Sequence, residues 1–144
     1  LDAETASSHT ITVDASDGSN TVSQDFTISV TDINEFSPSQ PSDSDGDSSN
    51  NQVAENASNG TSVGITASST DNDISDTVTY SLSDDADGRF TIDDNSGEVT
   101  VADSSQLDAE TASSHTITVD ASDGSNTVSQ DFTINVADIN DNSP

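Results

Sequence analysis

Cysteine, lysine, methionine and tryptophan are all absent from this chain of 144 residues. The absence of cysteine excludes a disulfide framework and thiol chemistry. The single cationic residue, Arg89, cannot supply the positive surface that phosphate binding needs, so the composition excludes nucleic acid and anionic lipid as partners. No apolar run is long enough to cross a bilayer, so we expect no membrane insertion.

Acidic residues dominate what is present. The chain has 28 aspartates and glutamates and a formal charge of -27, with 28% hydrophobic and 3% aromatic residues. This composition lies close to that of disordered proteins, so disorder is an open alternative to a folded domain. Carboxylates at this density repel one another, and either salt must screen them or bound cations must neutralise some of them.

A long internal repeat gives the domain organisation. Residues 1–34 recur at 107–140 with only two differences, Ser29/Asn135 and Thr31/Ala137. The second copy begins 106 residues after the first, which predicts a tandem repeat with one domain per unit. We therefore divide the chain into residues 1–38, the end of one unit; 39–52, an acidic linker; and 53–144, a complete unit. On this interpretation the chain is a fragment of a longer array.

The complete unit has the pattern of an all-β domain. Apolar and polar residues alternate in short segments separated by turn signals such as Asn59-Gly60 and Asp123-Gly124, and no helical period is sustained. The pattern predicts a seven-stranded Greek-key immunoglobulin-like sandwich, preceded by a partial copy of the same domain. Strands are expected around Val53, 63–67, 78–82, 90–92, 99–101, 117–121 and 132–136.

Only the last two strands of a unit precede the linker, at 11–15 and 26–30. A two-stranded hairpin is marginal by itself. Because this hairpin duplicates strands of the complete unit, exchange of strands between identical chains is a possible interaction.

The informative carboxylates lie where strands end. Asp108-Ala109-Glu110 follows one strand, Asp71-Asn72-Asp73 follows another, and Asp138 begins the segment that leaves the last strand. Oxygen ligands at varied spacing suit calcium, whereas zinc requires clustered histidine or cysteine. His9 and His115 occupy one repeated position and are interpreted as structural. We find no catalytic triad, paired-carboxylate cleft or phosphate loop, so the sequence predicts no enzyme.

These motifs, in this order, resemble those of cadherin repeats. The terminal DINDNSP (138–144) matches the interdomain signature of that family. Four further motifs of the family are similar to LDAE, Ala54-Glu55-Asn56, Asp71-Asn72-Asp73 and Ala121-Ser122-Asp123-Gly124. The resemblance covers residues 53–144 and, truncated, 1–38, and implies a cadherin-like sandwich with calcium as cofactor. The sequence of the repeat is similar to the sequences of long repeat arrays in bacterial surface adhesins.

The resemblance implies two sets of calcium ligands. One set would lie at the junction between successive repeats, and the other at the C-terminal pole, where it would meet a following domain. The junction set is Asp2, Glu4, Asp32, Ile33, Asn34, Glu35, Phe36, Asp71, Asp73 and Asp123. The pole set is Glu55, Asp108, Glu110, Asp138, Asn140 and Asp141.

Two features depart from the family pattern or add to it. Glu35 and Phe36 stand where the family has aspartate and asparagine, and the upstream copy lacks its own Ala-Glu-Asn motif. The linker also carries Asp43, Asp45 and Asp47, a spacing similar to a calcium loop. A solvated acidic linker is an equally good interpretation of that run.

The sequence thus predicts an extracellular, secreted or cell-surface repeat whose partners are neighbouring repeats of the same chain. Calcium would stiffen each junction, and the array would extend a terminal binding domain away from the cell, in adhesion or biofilm formation. Two alternatives stay open. One is direct homophilic or carbohydrate recognition; the other is a calcium-stabilised filament with strand exchange between chains.

Overall fold

The computed structural model describes residues 1–142. The last two residues of the DINDNSP motif, Ser143 and Pro144, lie outside the described residues. The chain forms two compact units: unit 1 comprises Leu1–Phe36 with Asn72–Asp76, and unit 2 comprises Ser37–Asp71 and the chain from Thr77 onward. The described part of the chain contains ten strands and two single-turn 3-10 helices, which confirms the predicted all-β class.

Unit 1 is built on a β-hairpin. Strand β1 (Ser8–Ser16) pairs antiparallel with β2 (Thr21–Ser29) along their whole length. Gly18 has a φ of +94°, the left-handed conformation that this turn requires. The Asp17 carboxylate accepts hydrogen bonds from the amides of Ser19 and Asn20, at 2.9 and 2.8 Å, and so closes the turn locally.

Unit 2 holds eight strands. Every segment predicted as a strand contains one, and Ser42–Asp43, which we placed in the linker, pairs with the strand 62–68 and adds a further short one. The strands are β3 (Ser42–Asp43), β4 (Gln52–Ala54), β5 (Ser62–Ser68), β6 (Thr79–Asp84), β7 (Phe90–Ile92), β8 (Glu98–Val101), β9 (Ser114–Ser122) and β10 (Thr127–Ala137). The 3-10 turns are Ser48–Asn50 and Ser104–Gln106.

These strands form two four-stranded sheets, with orders β4-β10-β9-β6 and β3-β5-β8-β7. All described pairs are antiparallel except β4 with β10, which run parallel over three residue pairs. The register of β5 against β8 shifts at Gly64, whose φ is +85° and whose missing Cβ would lie 2.3 Å from the Asn50 carbonyl oxygen. Gly64 thus allows the chain before β4 to approach β5 closely.

The core lies between the two sheets. The alternating apolar residues point inward, as the period of two predicts. Tyr80 is buried, and its hydroxyl accepts a hydrogen bond from the Ser69 amide at 2.9 Å. The largest fully buried side chains are Phe90, Ile65, Ile117, Ile134, Val63, Val99, Val101 and Val119.

The repeated sequence occupies two different environments. In β9 and β10, Ile117 and Ile134 are completely buried. Their counterparts in β1 and β2, Ile11 and Ile28, are 45% and 48% exposed, because in unit 1 no second sheet covers the hairpin among the described residues. The same hairpin sequence therefore forms in both units, but only unit 2 uses it to build a sandwich core.

This duplication provides a matched mutational comparison. We expect Ile117→Ala to lower the free energy of unfolding of unit 2 by about 2–5 kcal/mol, since it removes a fully buried side chain. Ile11→Ala should change it by less than about 0.5 kcal/mol, because the substitution lies on an exposed face of the other unit. Urea unfolding followed by the fluorescence of Tyr80, the chain's one tyrosine, reports on unit 2. Equal losses in the two variants would contradict this account.

Candidate functional site

Three carboxylates meet at one end of unit 2. Glu55, Glu110 and Asp138 each place one oxygen within 4.8 Å of the others, and we call this group the pole cluster. Glu55 follows β4, Asp138 follows β10, and Glu110 lies in the turn before β9. The parallel pairing of β4 with β10 is what places Glu55 beside the start of the terminal motif.

Glu55 organises this cluster. Its side chain is buried, with Oε2 accepting a hydrogen bond from the Ala109 amide and Oε1 accepting one from the Ile139 amide, both at 2.8 Å. The two amides, that of Ile139 first, hold the pKa of Glu55 below its usual value because they stabilise the ionised form. A buried, ionised carboxylate therefore joins three separate acidic motifs.

Glu110 has the opposite tendency. Its own backbone amide lowers its pKa, but contact with the Asp138 side chain, burial and the charges of Glu55 and Asp138 together raise it to about 7. Asp108 fixes the turn that carries Glu110, since its carboxylate accepts hydrogen bonds from the amides of Glu110 and Thr111 at 3.0 and 3.1 Å. The fold thus holds Glu110 in a position where a proton or a cation is needed to offset repulsion.

A second acidic group lies in unit 1 and reuses part of the repeated sequence. Glu4, Asp32 and Asp73 also have one oxygen each within 4.8 Å of one another, and we call them the unit 1 cluster. Asp2 closes the turn before β1 just as Asp108 does before β9, with the Glu4 amide 3.0 Å from its carboxylate. Contact with the Asp32 and then the Asp2 side chains raises the pKa of Glu4 to about 7.

The segment Asn72–Asp76 supplies the rest of the unit 1 cluster. Asp32 accepts hydrogen bonds from both the amide and the hydroxyl of Ser75, and the buried Asp73 accepts one from the Phe36 amide at 2.8 Å. The second carboxylate oxygens of Glu4 and Asp32, Oε1 and Oδ1, are shielded from solvent and receive no hydrogen bond. Buried carboxylate oxygens in this condition are costly unless a cation neutralises them.

The donor set of both clusters fits a hard divalent cation. All the grouped side chains offer carboxylate oxygen and none offers nitrogen or sulfur, which disfavours zinc. Oxygen ligands on separate turns allow the variable geometry and high coordination number that calcium prefers. The shielded oxygens of Glu4 and Asp32 are the observation that supports this fit in unit 1.

The other residues predicted at the junction are distributed as follows. Ile33 and Phe36 are 69% and 42% exposed, and the pKa of Glu35 is raised by burial and by the charges of Asp73, Asp32 and Asp2. Asn34 is exposed. Two predicted ligands belong to unit 2: Asp71, which is half-buried, and Asp123, whose carboxylate accepts hydrogen bonds from the amides of Ser125 and Asn126.

At the pole, Asn140 and Asp141 are exposed and follow Asp138 in the chain. In the linker, Asp45 and Asp47 are used as turn-forming groups: Asp45 accepts from the Asp47 amide at 2.9 Å, and Asp47 caps the turn Ser48–Asn50 through the Ser49 amide. Asp43, Asp45 and Asp47 do not form a three-carboxylate group within 4.8 Å in the described part of the chain.

Sequence reasoning missed three residues that the structure brings to these regions. Ser75 binds Asp32, Asp76 has a carboxylate oxygen within 4.8 Å of one of Asp73, and Asn51 is buried in the linker. Asp76 could have been found from the spacing of the acidic residues at 71, 73 and 76. Nothing in the local sequence distinguishes Ser75 or Asn51 from the many other polar residues around them.

Of the two histidines, His115 is partly buried beside Phe90, with ring centroids 6.2 Å apart. Burial lowers its pKa, and the charge of Arg89 lowers it further. His9, the same position in unit 1, is exposed. Neither lies in a described acidic cluster.

The fold and the ordered acidic motifs define a class of extracellular adhesion module. A family model described as the cadherin domain matches residues 49–137, and the chain belongs to that family. Cadherin domains are adhesion modules and not enzymes.

Individual relatives agree with this assignment. The human protein Protocadherin Fat 1 is 36% identical over 154 aligned positions, which cover 100% of this chain and 3% of that protein. Mouse clustered PcdhgC3 EC1-3 superposes with a TM-score of 0.74 at 25% identity, covering 96% of this chain and 46% of the other. Chicken VE-cadherin EC1-2 gives 0.68 at 25% identity, covering 96% and 70%.

In the described residues, no helix has the length and apolar character to cross a bilayer. The predicted cadherin resemblance is confirmed. The compared proteins are animal cadherins, so the similarity to bacterial adhesins stays a prediction from the amino-acid sequence of the repeat.

The raised pKa of Glu110 makes a prediction about pH. The folded state holds the Glu110 proton to about pH 7, whereas the ordinary pKa is 4.5. This contribution to stability is present below pH 4.5 and is lost as the pH rises to about 7. Without divalent cations, we expect the unfolding free energy of unit 2 to fall over this window, and Glu110→Gln to remove that part of the slope.

Urea unfolding by Tyr80 fluorescence, with EDTA present, measures this slope. The lowered pKa values of Glu55 and Asp108 also contribute to the pH dependence, and the lowered pKa of His115 gives an opposite slope just below pH 6.5. The readout is therefore the difference between wild type and Glu110→Gln. Identical pH profiles for the two proteins would show that Glu110 ionises normally in the folded state.

Proposed function

We propose that this chain is a calcium-binding cadherin-like repeat that acts as a stiff extender in an extracellular adhesin. The observation that carries the proposal is the pair of acidic clusters, each built on the same repeated motif and each holding a glutamate with a pKa near 7. Such groups repel one another until a cation binds between them.

Calcium would supply positive charge and flexible coordination by oxygen at each cluster. At the pole, Glu55, Glu110 and Asp138 would bind it directly. Asp108 would position the turn that carries Glu110, and Asn140 and Asp141 would be available to a following domain. In unit 1 the corresponding ligands would be Glu4, Asp32 and Asp73, with Asp2 in the role of Asp108. The family resemblance adds Ile33, Asn34, Glu35, Phe36, Asp71 and Asp123 to the same junction.

A spacer role follows from what the sequence offers a partner. The chain has no tryptophan for stacking on a sugar, and Phe90 and Tyr80 are buried, while Phe26 and Phe36 are 51% and 42% exposed. A tandem repeat stiffened at its junctions keeps a distant binding domain away from the cell surface. The similarity of the repeat sequence to bacterial adhesins and the charge of -27 favour a surface array in attachment or biofilm formation, at high calcium or salt.

Calcium should stabilise unit 2 through the pole cluster. We expect saturable stabilisation with an apparent dissociation constant on the order of 10⁻⁴–10⁻³ M, as for other extracellular modules. Asp138→Asn should weaken it about tenfold or more, because it removes a charged ligand. The control is Asp120→Asn, which removes one charge from β9 at a carboxylate that accepts from the hydroxyls of Ser83 and Ser129. Thermal melts at fixed ionic strength across a calcium series measure both variants, and equal weakening would point to screening alone.

Calcium should also restrict motion between the two units. We expect small-angle scattering to show a narrower distribution of intramolecular distances with calcium at about 5 mM than with EGTA, since this concentration exceeds the expected dissociation constant. Asp32→Asn should reduce the difference between the calcium and EGTA curves, because it removes a carboxylate of the unit 1 cluster that the family resemblance assigns to the junction. Scattering curves that superpose with and without calcium would argue against the extender.

A second candidate function is a filament subunit that exchanges strands with identical chains. The exposed apolar face of β1 and β2 favours it: Ile11, Val13, Phe26 and Ile28 are all between 45% and 51% exposed. The same residues in unit 2 pack against a second sheet. Light scattering at high salt and calcium tests whether the wild type associates. We expect Phe26→Ser to abolish this association. A wild type that is monomeric under these conditions would argue against the filament.

A further inference from the structure

A cleft of about 490 Å³ lies in unit 2 between the segment 40–51 and strand β10. Its walls include Asp43 and Asn51 on one side and Asp131 and Phe132 on the other. None of these residues belongs to the pole cluster. The cleft is therefore separate from the sites that the cadherin resemblance implies.

Two of the residues that line this cleft carry a side-chain oxygen that is shielded from solvent and has no hydrogen-bond donor. Asn51 is 2% exposed, and its Oδ1 receives no hydrogen bond. Asp43 uses one oxygen, Oδ1, to accept from the Thr66 amide at 3.3 Å, while its Oδ2 is buried and receives none. Folded proteins rarely leave buried polar oxygens in this state, since each loses its hydration without compensation.

The surrounding segment holds these oxygens in place. Gly64 permits the close approach of Asn50 to β5, and the Asn51 amide donates to the Ser48 carbonyl at 3.3 Å. Asp45 is fixed by the Asn50 side-chain amide at 2.6 Å and lies in contact with Asp43.

The chemistry of the cleft points to a hard cation. Asp43 and Asn51 each bring a shielded oxygen without a donor to its wall, Asp45 contacts Asp43, and Asp131 adds a carboxylate on the other side. The chain's single cationic side chain, Arg89, is not among the residues that line it. An anion would be repelled here, and magnesium prefers a smaller and more regular oxygen cage than a cleft of this size offers.

We propose that Asp43 and Asn51 bind a calcium ion in this cleft, with Asp45 on its outer side. The site differs from the linker loop suggested by sequence, because Asp47 caps the following turn and Asn51 takes its place as ligand. Calcium there would connect the segment before β4 to β5 through Asp43. The proposal does not depend on the proposed function, since it uses none of the residues of the pole cluster.

Nuclear magnetic resonance during a calcium chloride titration, at constant ionic strength, tests the site in the whole chain. We expect the side-chain amide of Asn51 and the backbone amides of Gly46 and Ser48, which also line the cleft, to shift and saturate. Asp43→Asn should weaken this response about tenfold or more, because it removes the charged ligand. The variant retains an oxygen for the Thr66 amide, so the pairing of β3 with β5 is preserved.

Asp131→Asn is the matched control. It removes one charge from the same cleft, but from a carboxylate whose Oδ1 is already bound by the Thr118 hydroxyl at 2.7 Å. We expect it to weaken the Asn51 response less than twofold. If Asp131→Asn and Asp43→Asn weaken the response equally, the effect is diffuse screening and the proposed site is wrong.

The amides of Ala109 and Ile139, which bind Glu55, report on the pole cluster in the same spectra. If they respond to calcium while Asn51 does not shift up to about 20 mM, far above the expected range, then water satisfies the cleft and the proposal fails. If Asn51 responds and the pole amides do not, the cleft site stands and the proposed function fails.

Discussion

The Glu55 carboxylate holds the acidic end of unit 2 together. By accepting the amides of Ala109 and Ile139 it joins the end of β4, the turn before β9 and the segment after β10. The same two hydrogen bonds stabilise its ionised form and bring Asp138 and Glu110 to it. Repulsion is thus built into the native state, and the proton on Glu110 and any bound cation are two ways of offsetting it. On the proposed function, the stability of this domain and its binding of cations would be two aspects of one arrangement.

Much of the fold could be predicted because the strands are short and alternate regularly. Val99 and Val101, or Ile117 and Val119, show the period of two, and each lies in a core-facing position. The grouping of acidic motifs could be predicted because they adjoin strands whose pairing brings Glu55, Glu110 and Asp138 to one end. What could not be predicted depends on approach between distant segments. Ser42–Asp43 has no strand pattern but pairs with β5. The segment that carries the buried Asn51 approaches β5 where Gly64 lacks a side chain.

The duplicated hairpin separates local from tertiary causes. Apart from Ser29/Asn135, identical residues make the same antiparallel pairing with the same turn in both units, so the hairpin geometry belongs to the local sequence. Burial does not, since Ile11 is 45% exposed and Ile117 is fully covered. Phe26, 51% exposed in unit 1, shows the same dependence on a covering sheet. The hairpin therefore forms in both units, but its apolar face becomes part of a core only where a second sheet covers it.

The parallel pairing of β4 with β10 has a mechanical consequence. These strands lie near the two ends of unit 2 and are matched at three successive residue pairs, from Gln52 with Asn135 to Ala54 with Ala137. A pull on the two ends of the unit draws parallel strands in opposite directions along their length. The hydrogen bonds between them are then loaded in shear and must break together, whereas an antiparallel hairpin such as β1 with β2, pulled at its open end, unzips one pair at a time. Unit 2, pulled at its two ends, would resist tension through this short ladder.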